Sequence, residues 1–151
     1  GGITVRGMDD VAVRFSKCCS PVPGDEIVGF VTRGRGVSVH RTDCINIVNL
    51  PETERGRIIE AEWQQDVSQA TGFYVTEIRI YANNRTGLLV DITKIFTERK
   101  IDMSSVNSRT SKQGMATISI EFGVTGRDAL NSLIDRLRKV ESVIDIERST
   151  G

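Results

Sequence analysis

From residue 74 onward the hydrophobic period switches between two and three-to-four residues in an order that few folds accept. Thr76, Ile78, Ile80 and Ala82 alternate with Glu77, Arg79 and Tyr81, the pattern of a half-buried strand over residues 74–82. Leu88, Ile92, Ile95 and Phe96 then fall at helical spacing, so residues 87–100 read as an amphipathic helix. Residues 101–110 carry Ile101, Met103 and Val106, with an alternation that slips after Met103 and suggests a bulge. Ala116, Ile118, Ile120 and Phe122 mark another strand. Leu130, Leu133, Ile134, Leu137 and Val140 mark a second helix, and residues 143–148 a last short strand. Strand, helix, strand, strand, helix, strand is the split βαβ, ferredoxin-like order: a four-stranded antiparallel sheet with both helices on one face.

Before residue 65 the texture differs. Segments are short and broken by turn residues, as in Ser20-Pro21-Val22-Pro23-Gly24-Asp25, where two prolines bar a helix. Residues 27–32 and 37–40 read as strands joined by the glycine-punctuated loop Arg33-Gly34-Arg35-Gly36. A short helix carrying Cys44, Ile45, Ile47 and Val48 is expected after Thr42 or Asp43, and residues 57–63 read as a last strand. The expected class is therefore α+β: a small β-rich domain with one helix over residues 1–66, then a ferredoxin-like βαββαβ domain over residues 67–151. Because the start lacks an initiator Met, the chain reads as a fragment of something larger.

Charge excludes one class of partner. Twenty basic residues balance twenty acidic ones, so no chain-wide basic field exists to hold nucleic acid. The balance is uneven locally, with Arg14, Lys17, Arg33, Arg35 and Arg41 outnumbering Asp25 and Glu26 between residues 14 and 41. Arginines on a glycine-rich tip reach phosphates easily, so Lys17, Arg33, Arg35, His40 and Arg41 are the candidate RNA contacts. No apolar run approaches the length of a membrane span, so no membrane partner is expected.

All three cysteines and the one histidine lie in the first third. A sparse, odd number of cysteines suits a reducing cytoplasm. No oxyanion, GxGxxG or Walker motif accompanies them, and no catalytic residue is assigned. Cys18, Cys19, His40 and Cys44 are the set that would hold zinc. Adjacent side chains of an extended segment point to opposite faces, however, which makes Cys18-Cys19 a poor ligand pair. No cofactor is therefore expected to be required. In the second half, Asn83-Asn84-Arg85-Thr86-Gly87-Leu88-Leu89 leads into a helix start. Free helix-start N–H groups favour a carboxylate, and Asn83 and Asn84 offer amide groups. Plain N-capping by Asn84 or Thr86 explains the same residues equally well.

The run from Cys18-Cys19-Ser20-Pro21-Val22-Pro23-Gly24-Asp25 through Thr32-Arg33-Gly34-Arg35-Gly36 to His40-Arg41-Thr42-Asp43-Cys44 resembles the regulatory region of long RelA/SpoT-type (p)ppGpp synthetase/hydrolases. There it forms the ribosome-intersubunit module, also called the zinc-finger or conserved-cysteine domain. The second half resembles the ACT domain that follows it, through Asn84-Arg85-Thr86-Gly87-Leu88-Leu89 and Val106-Asn107-Ser108-Arg109-Thr110. The resemblance implies a non-catalytic, cytoplasmic regulatory segment of a stringent-response enzyme, without its synthetase and hydrolase domains. It implies contact with ribosomal RNA and A-site tRNA through the first domain. It implies an amino acid bound at a side-by-side homodimer interface through the second. Asn83, Asn84, Gly87, Leu88, Leu89, Ile101, Met103 and Asn107 are the expected ligand residues. With no charge among the apolar ones, valine, isoleucine or leucine is the expected ligand. An amino-acid-binding allosteric module of a metabolic enzyme, with no ribosomal role, is the alternative. The first motif argues against it.

Overall fold

The computed structural model describes residues 2–8, 10–34, 36–64 and 72–149, and it divides into two compact units between Gly72 and Phe73. The expected boundary at residues 66 and 67 falls outside the described residues.

The first unit is a five-stranded sheet ordered β1-β5-β3-β4-β2, built from β1 (Ile3–Val5), β2 (Val13–Phe15), β3 (Ile27–Val31), β4 (Val37–Arg41) and β5 (Ile58–Trp63). The central hairpin is as expected: β3 and β4 pair antiparallel, with Gly29 opposite Val39. β2 joins the other side of β4 in parallel, with Phe15 opposite Val39. Close approach is possible there because Gly36 has no Cβ. A Cβ at Gly36 would lie 2.2 Å from the Ala12 carbonyl oxygen, and its φ of +83° is one that L side chains rarely adopt. A short helix, α1 (Ile45–Val48), and a 3₁₀ turn (Glu52–Arg57) connect β4 to β5. Ile27, Val39 and Ala61 are buried among Ile3, Phe15 and Trp63, with the Phe15 and Trp63 rings stacked 5.6 Å apart. The Trp63 indole N–H donates to the Asp25 carbonyl at 3.0 Å, tying β5 to the proline-rich turn.

The second unit has the expected element order: β6 (Tyr74–Asn83), α2 (Leu88–Glu98), β7 (Met103–Thr110), β8 (Met115–Val124), α3 (Arg127–Leu137) and β9 (Val143–Arg148). Its sheet runs β7-β8-β6-β9, all antiparallel, which is the ferredoxin-like arrangement. Strand alternation sets the layers. Ile78, Ile80 and Ala82 of β6 and Ile118, Ile120 and Phe122 of β8 are buried, as are Ile92 and Phe96 of α2 and Leu130, Leu133 and Leu137 of α3. Phe96 meets Phe122 edge-on at 5.1 Å. Arg79, Tyr81, Thr117 and Ser119 occupy the other face of the sheet. The slip after Met103 is a register shift between Met103 and Ser105, as expected. β7 is an edge strand with seven of its eight residues exposed. No described helix is long and apolar enough to cross a membrane.

Candidate functional site

The first unit brings Cys18, Cys19, His40 and Cys44 together, with all four ligand atoms within 4.8 Å of one another. Cys18 Sγ lies 3.4 Å from Cys44 Sγ and 3.4 Å from His40 Nδ1, and Cys19 Sγ lies 3.9 Å from the same nitrogen. A tetrahedral zinc site with Zn–S near 2.3 Å and Zn–N near 2.0 Å requires ligand–ligand edges of about 3.5–3.8 Å. The donor set and its spacing therefore fit Zn²⁺. The argument against the adjacent pair assumed an extended segment. Residues 16–20 instead form a helical turn, closed by Ser20 N–H donating to Ser16 O at 3.0 Å. Successive side chains on such a turn are about 100° apart rather than 180°, so both sulfurs reach one side. Ser20 takes φ +46° and Pro21 ends the turn.

Neighbouring groups support the cluster. His40 Nε2 lies 3.1 Å from Ser38 Oγ, the geometry that fixes the ring with Nδ1 toward the sulfurs. The Arg41 N–H donates to Cys19 Sγ at 3.3 Å, and Ser16 Oγ lies 2.9 Å from Cys18 Sγ. Cys44 precedes α1 and accepts the N–H groups of Ile47 and Val48 at its carbonyl, both at 2.9 Å. Without metal, burial pushes the thiols of Cys19 and Cys44 up. Burial also opposes ionisation of Cys18, but hydrogen bonds from Ser16, Asn46 and the two other thiols outweigh it and hold Cys18 below the usual thiol value. Burial, helped by the charge of Arg14, holds the His40 imidazole below its ordinary value and keeps it neutral. Ser38 was not singled out from sequence. Its position two residues before His40 on an alternating strand puts it on the same face, which is the available signal.

The candidate RNA contacts divide. Lys17 is exposed, and Arg33 is exposed with only a 3.8 Å approach to Glu54. Arg35 lies outside the described residues. His40 turns both ring nitrogens inward, to the cysteines and to Ser38. Arg41 is buried, 6% exposed. Its guanidinium is held by Asp43 and by the Cys19 carbonyl at 3.2 Å. Its place is in positioning the cysteine turn, and it does not present a cation to a partner.

In the second unit the loop between β6 and α2 is capped by neither Asn84 nor Thr86. Gly87 is the N-cap at φ +80°, with no side-chain bond to the helix start. Asn83, Asn84 and Leu89 are exposed, whereas Leu88 is 3% exposed and faces the core. Arg85 fixes this loop. It donates to the Glu141 carbonyl from Nε and Nη2 at 3.2 and 3.0 Å and pairs with Asp91 at 2.9 Å. Ile101 and Met103 do not join the loop within one chain. Met103 pairs with Phe122, whereas Asn83 pairs with Met115 at the other end of β8. Seven residues at about 3.4 Å each separate the two ends by roughly 24 Å. Asn107 pairs with Ser119 in the middle of the sheet.

Residues 3–64 match the family model of the RelA/SpoT RIS domain, and residues 70–148 match that of the ACT domain. Over its whole length the chain is similar to GTP pyrophosphokinases. It is 38% identical over 149 residues to that of Haemophilus influenzae, 39% over 152 residues to that of Escherichia coli and 39% over 150 residues to that of Streptomyces coelicolor. These matches take in 98%, 100% and 99% of this chain but 20%, 20% and 17% of the relatives, so it spans about a fifth of their length. Among solved structures, the crystal structure of the ACT domain from the Chlorobium tepidum GTP pyrophosphokinase is 27% identical. It covers 51% of this chain and 99% of that one, with a TM-score of 0.46. The solution structure of the same domain gives 26%, 52%, 89% and 0.47.

Proposed function

We infer, because the chain belongs to the ACT domain family through residues 70–148 and carries a RelA/SpoT RIS domain in residues 3–64, that it is a regulatory, non-catalytic portion of a GTP pyrophosphokinase-type enzyme. The observation that carries this is the union in one chain of the two domains, at 38–39% identity to such enzymes from end to end. In this reading the first unit docks on ribosomal RNA through Lys17 and Arg33, and the second senses a branched-chain amino acid as a homodimer. Together they set the balance of (p)ppGpp synthesis and hydrolysis in domains outside this chain.

The dimer supplies what one copy lacks. β7 is an exposed edge whose outer backbone groups are free to pair. Antiparallel pairing of two β7 strands about Asn107 sets Met103 of a second copy opposite Ser111. That is the end of the sheet where Asn83 and the β6–α2 loop lie. The ligand carboxylate then sits at the start of α2 beside Gly87 and Leu89, with the amino group on Asn83 or Asn84. Leu89 and the second copy's Ile101 and Met103 cover an aliphatic side chain. The four ligands of the first unit hold Zn²⁺, which would cross-link the 16–20 turn, the end of β4 and the start of α1. It supplies no chemistry beyond that cross-link.

Calorimetric titration with valine, isoleucine and leucine, beside lysine and glutamate, tests the sensing role, with sedimentation velocity reporting the dimer. Saturable heat for the aliphatic set alone, at micromolar affinity or weaker, is expected. An intact dimer that binds no amino acid would remove sensing and leave a docking role.

A further inference from the structure

The open face of the second unit's sheet carries a cavity of about 330 Å³ that shares only Asn107 with the residues expected for the amino acid. It is lined by Arg79, Tyr81, Asn107, Arg109, Thr117 and Ser119. Strand register explains why these six meet. Asn107, Ser119 and Arg79 form one row across β7, β8 and β6, and Arg109, Thr117 and Tyr81 form the next row on the same face. The central strand contributes the two short side chains and the flanking strands the long ones, so the middle is low and the sides are high.

The chemistry of the lining is one-sided. It holds two guanidinium groups, two hydroxyls, a phenol and a carboxamide, and no carboxylate. Carboxylates border it without lining it: Glu77 and Glu121 form the next row on the same face, on the side of the Asn107–Ser119–Arg79 row, and Glu147 stands at the β9 rim. Glu147 accepts the Tyr81 hydroxyl at 2.7 Å and lies 3.8 Å from Arg79. Asp145 is turned to Arg138 and to the Ile146 N–H. Arg109 has no ion-pair partner among the described residues. Guanidinium forks match the oxygens of a phosphoryl group, and serine, threonine and asparagine add neutral donors to the remaining lone pairs.

The geometry points to this cavity as a binding site for a small phosphorylated anion, held between Arg79 and Arg109 over Thr117 and Ser119. All six residues come from three strands of one chain, so the site needs neither the dimer nor an amino acid. It goes beyond the sensing role.

Pyrophosphate is the probe, followed by amide chemical shifts of the isotopically labelled 151-residue chain. Saturable shifts are expected at residues 79, 81, 107, 109, 117 and 119, with submillimolar to millimolar affinity. The double variant Arg79→Gln/Arg109→Gln should lower that affinity at least tenfold. Arg136→Gln, an exposed cation on α3, should leave it unchanged. Circular dichroism of each variant shows that the fold persists. A parallel titration with a short single-stranded RNA separates a free phosphorylated ligand from a nucleic-acid backbone. No response to pyrophosphate, equal loss in the α3 variant, or binding of RNA alone would each overturn the assignment.

Discussion

Replacing Cys44 by alanine should cost far more with zinc present than without it. Cys44 is fully buried, with its sulfur 3.4 Å from that of Cys18. Without metal, the thiol is a small apolar group packed with Cys19 and Ile47. Deleting it costs about 1 kcal/mol in lost packing. With zinc bound, the substitution also removes a ligand. A metal held at a thousandfold excess over its dissociation constant stabilises the fold by about 4 kcal/mol, most of which the variant forfeits. A domain of this size shifts its midpoint by about 4–8 °C per kcal/mol. The expected loss is then on the order of 5 °C in chelator and 20 °C or more in zinc. The single tryptophan, Trp63, is stacked on Phe15 in the first unit, so its fluorescence follows that unit's melting alone. Elemental analysis of the dialysed chain counts the metal. If the wild-type Trp63 midpoint is the same in zinc and in chelator, or if Cys44→Ala costs the same in both, the convergence of the four side chains is packing and the reasoning fails. Ser38→Ala should weaken zinc 10- to 100-fold through His40 and, by leaving the buried Nε2 without its partner, also lower the metal-free midpoint by several degrees.

Other outcomes follow from single side chains. His40 is held neutral by burial, so its folded pKa lies below its unfolded value near 6.5. The stability it contributes is present above that value and is lost as pH falls through the window below it. In chelator, the Trp63 urea midpoint should fall between pH 7 and pH 5 more steeply in the wild type than in His40→Asn. Gly87→Val places a β-branched residue at φ +80°, where the nearest outside atom is 3.9 Å from the new Cβ. The cost is therefore backbone strain of about 1–2 kcal/mol, read from circular dichroism melts of the second unit, with loss of amino-acid heat beside it. Val106→Lys adds like charges to both copies of an exposed edge strand and should weaken dimerisation at least tenfold by sedimentation. A dimer of unchanged affinity would place the interface elsewhere.

The second unit was legible because its elements are long. Ten-residue strands and eleven-residue helices repeat their period often enough to be read, and even the bulge after Met103 appears as a break in alternation. In the first unit β1 and β2 were missed, since three residues are too few to show a period. The cysteine and histidine set was visible, but its convergence was not. It depends on the turn closed by Ser16 and Ser20 and on a serine at φ +46°, which a count of spacings does not encode. Arg41 was misjudged for a related reason: local charge excess weighs every arginine alike, and only packing shows this one spent on Asp43 and Cys19. Leu88 was assigned to a ligand although its place in the helical period already puts it with Ile92 and Ile95 in the core. The role of Arg85 needs a partner, the Glu141 carbonyl, 56 residues away.

The claim that the chain is a ribosome-facing regulator is tested most directly by co-sedimentation with purified ribosomes. The 151-residue chain is mixed with ribosomes carrying uncharged tRNA in the A site and, separately, with vacant ribosomes, at several salt concentrations. Saturable pelleting is expected, stronger with uncharged tRNA and weakening as salt rises. In the variant Lys17→Glu/Arg33→Glu, pelleting should be weaker and its salt dependence shallower. A folded chain that stays in the supernatant with every ribosome state, while still binding an aliphatic amino acid, would contradict the account and leave an allosteric module with no ribosomal role.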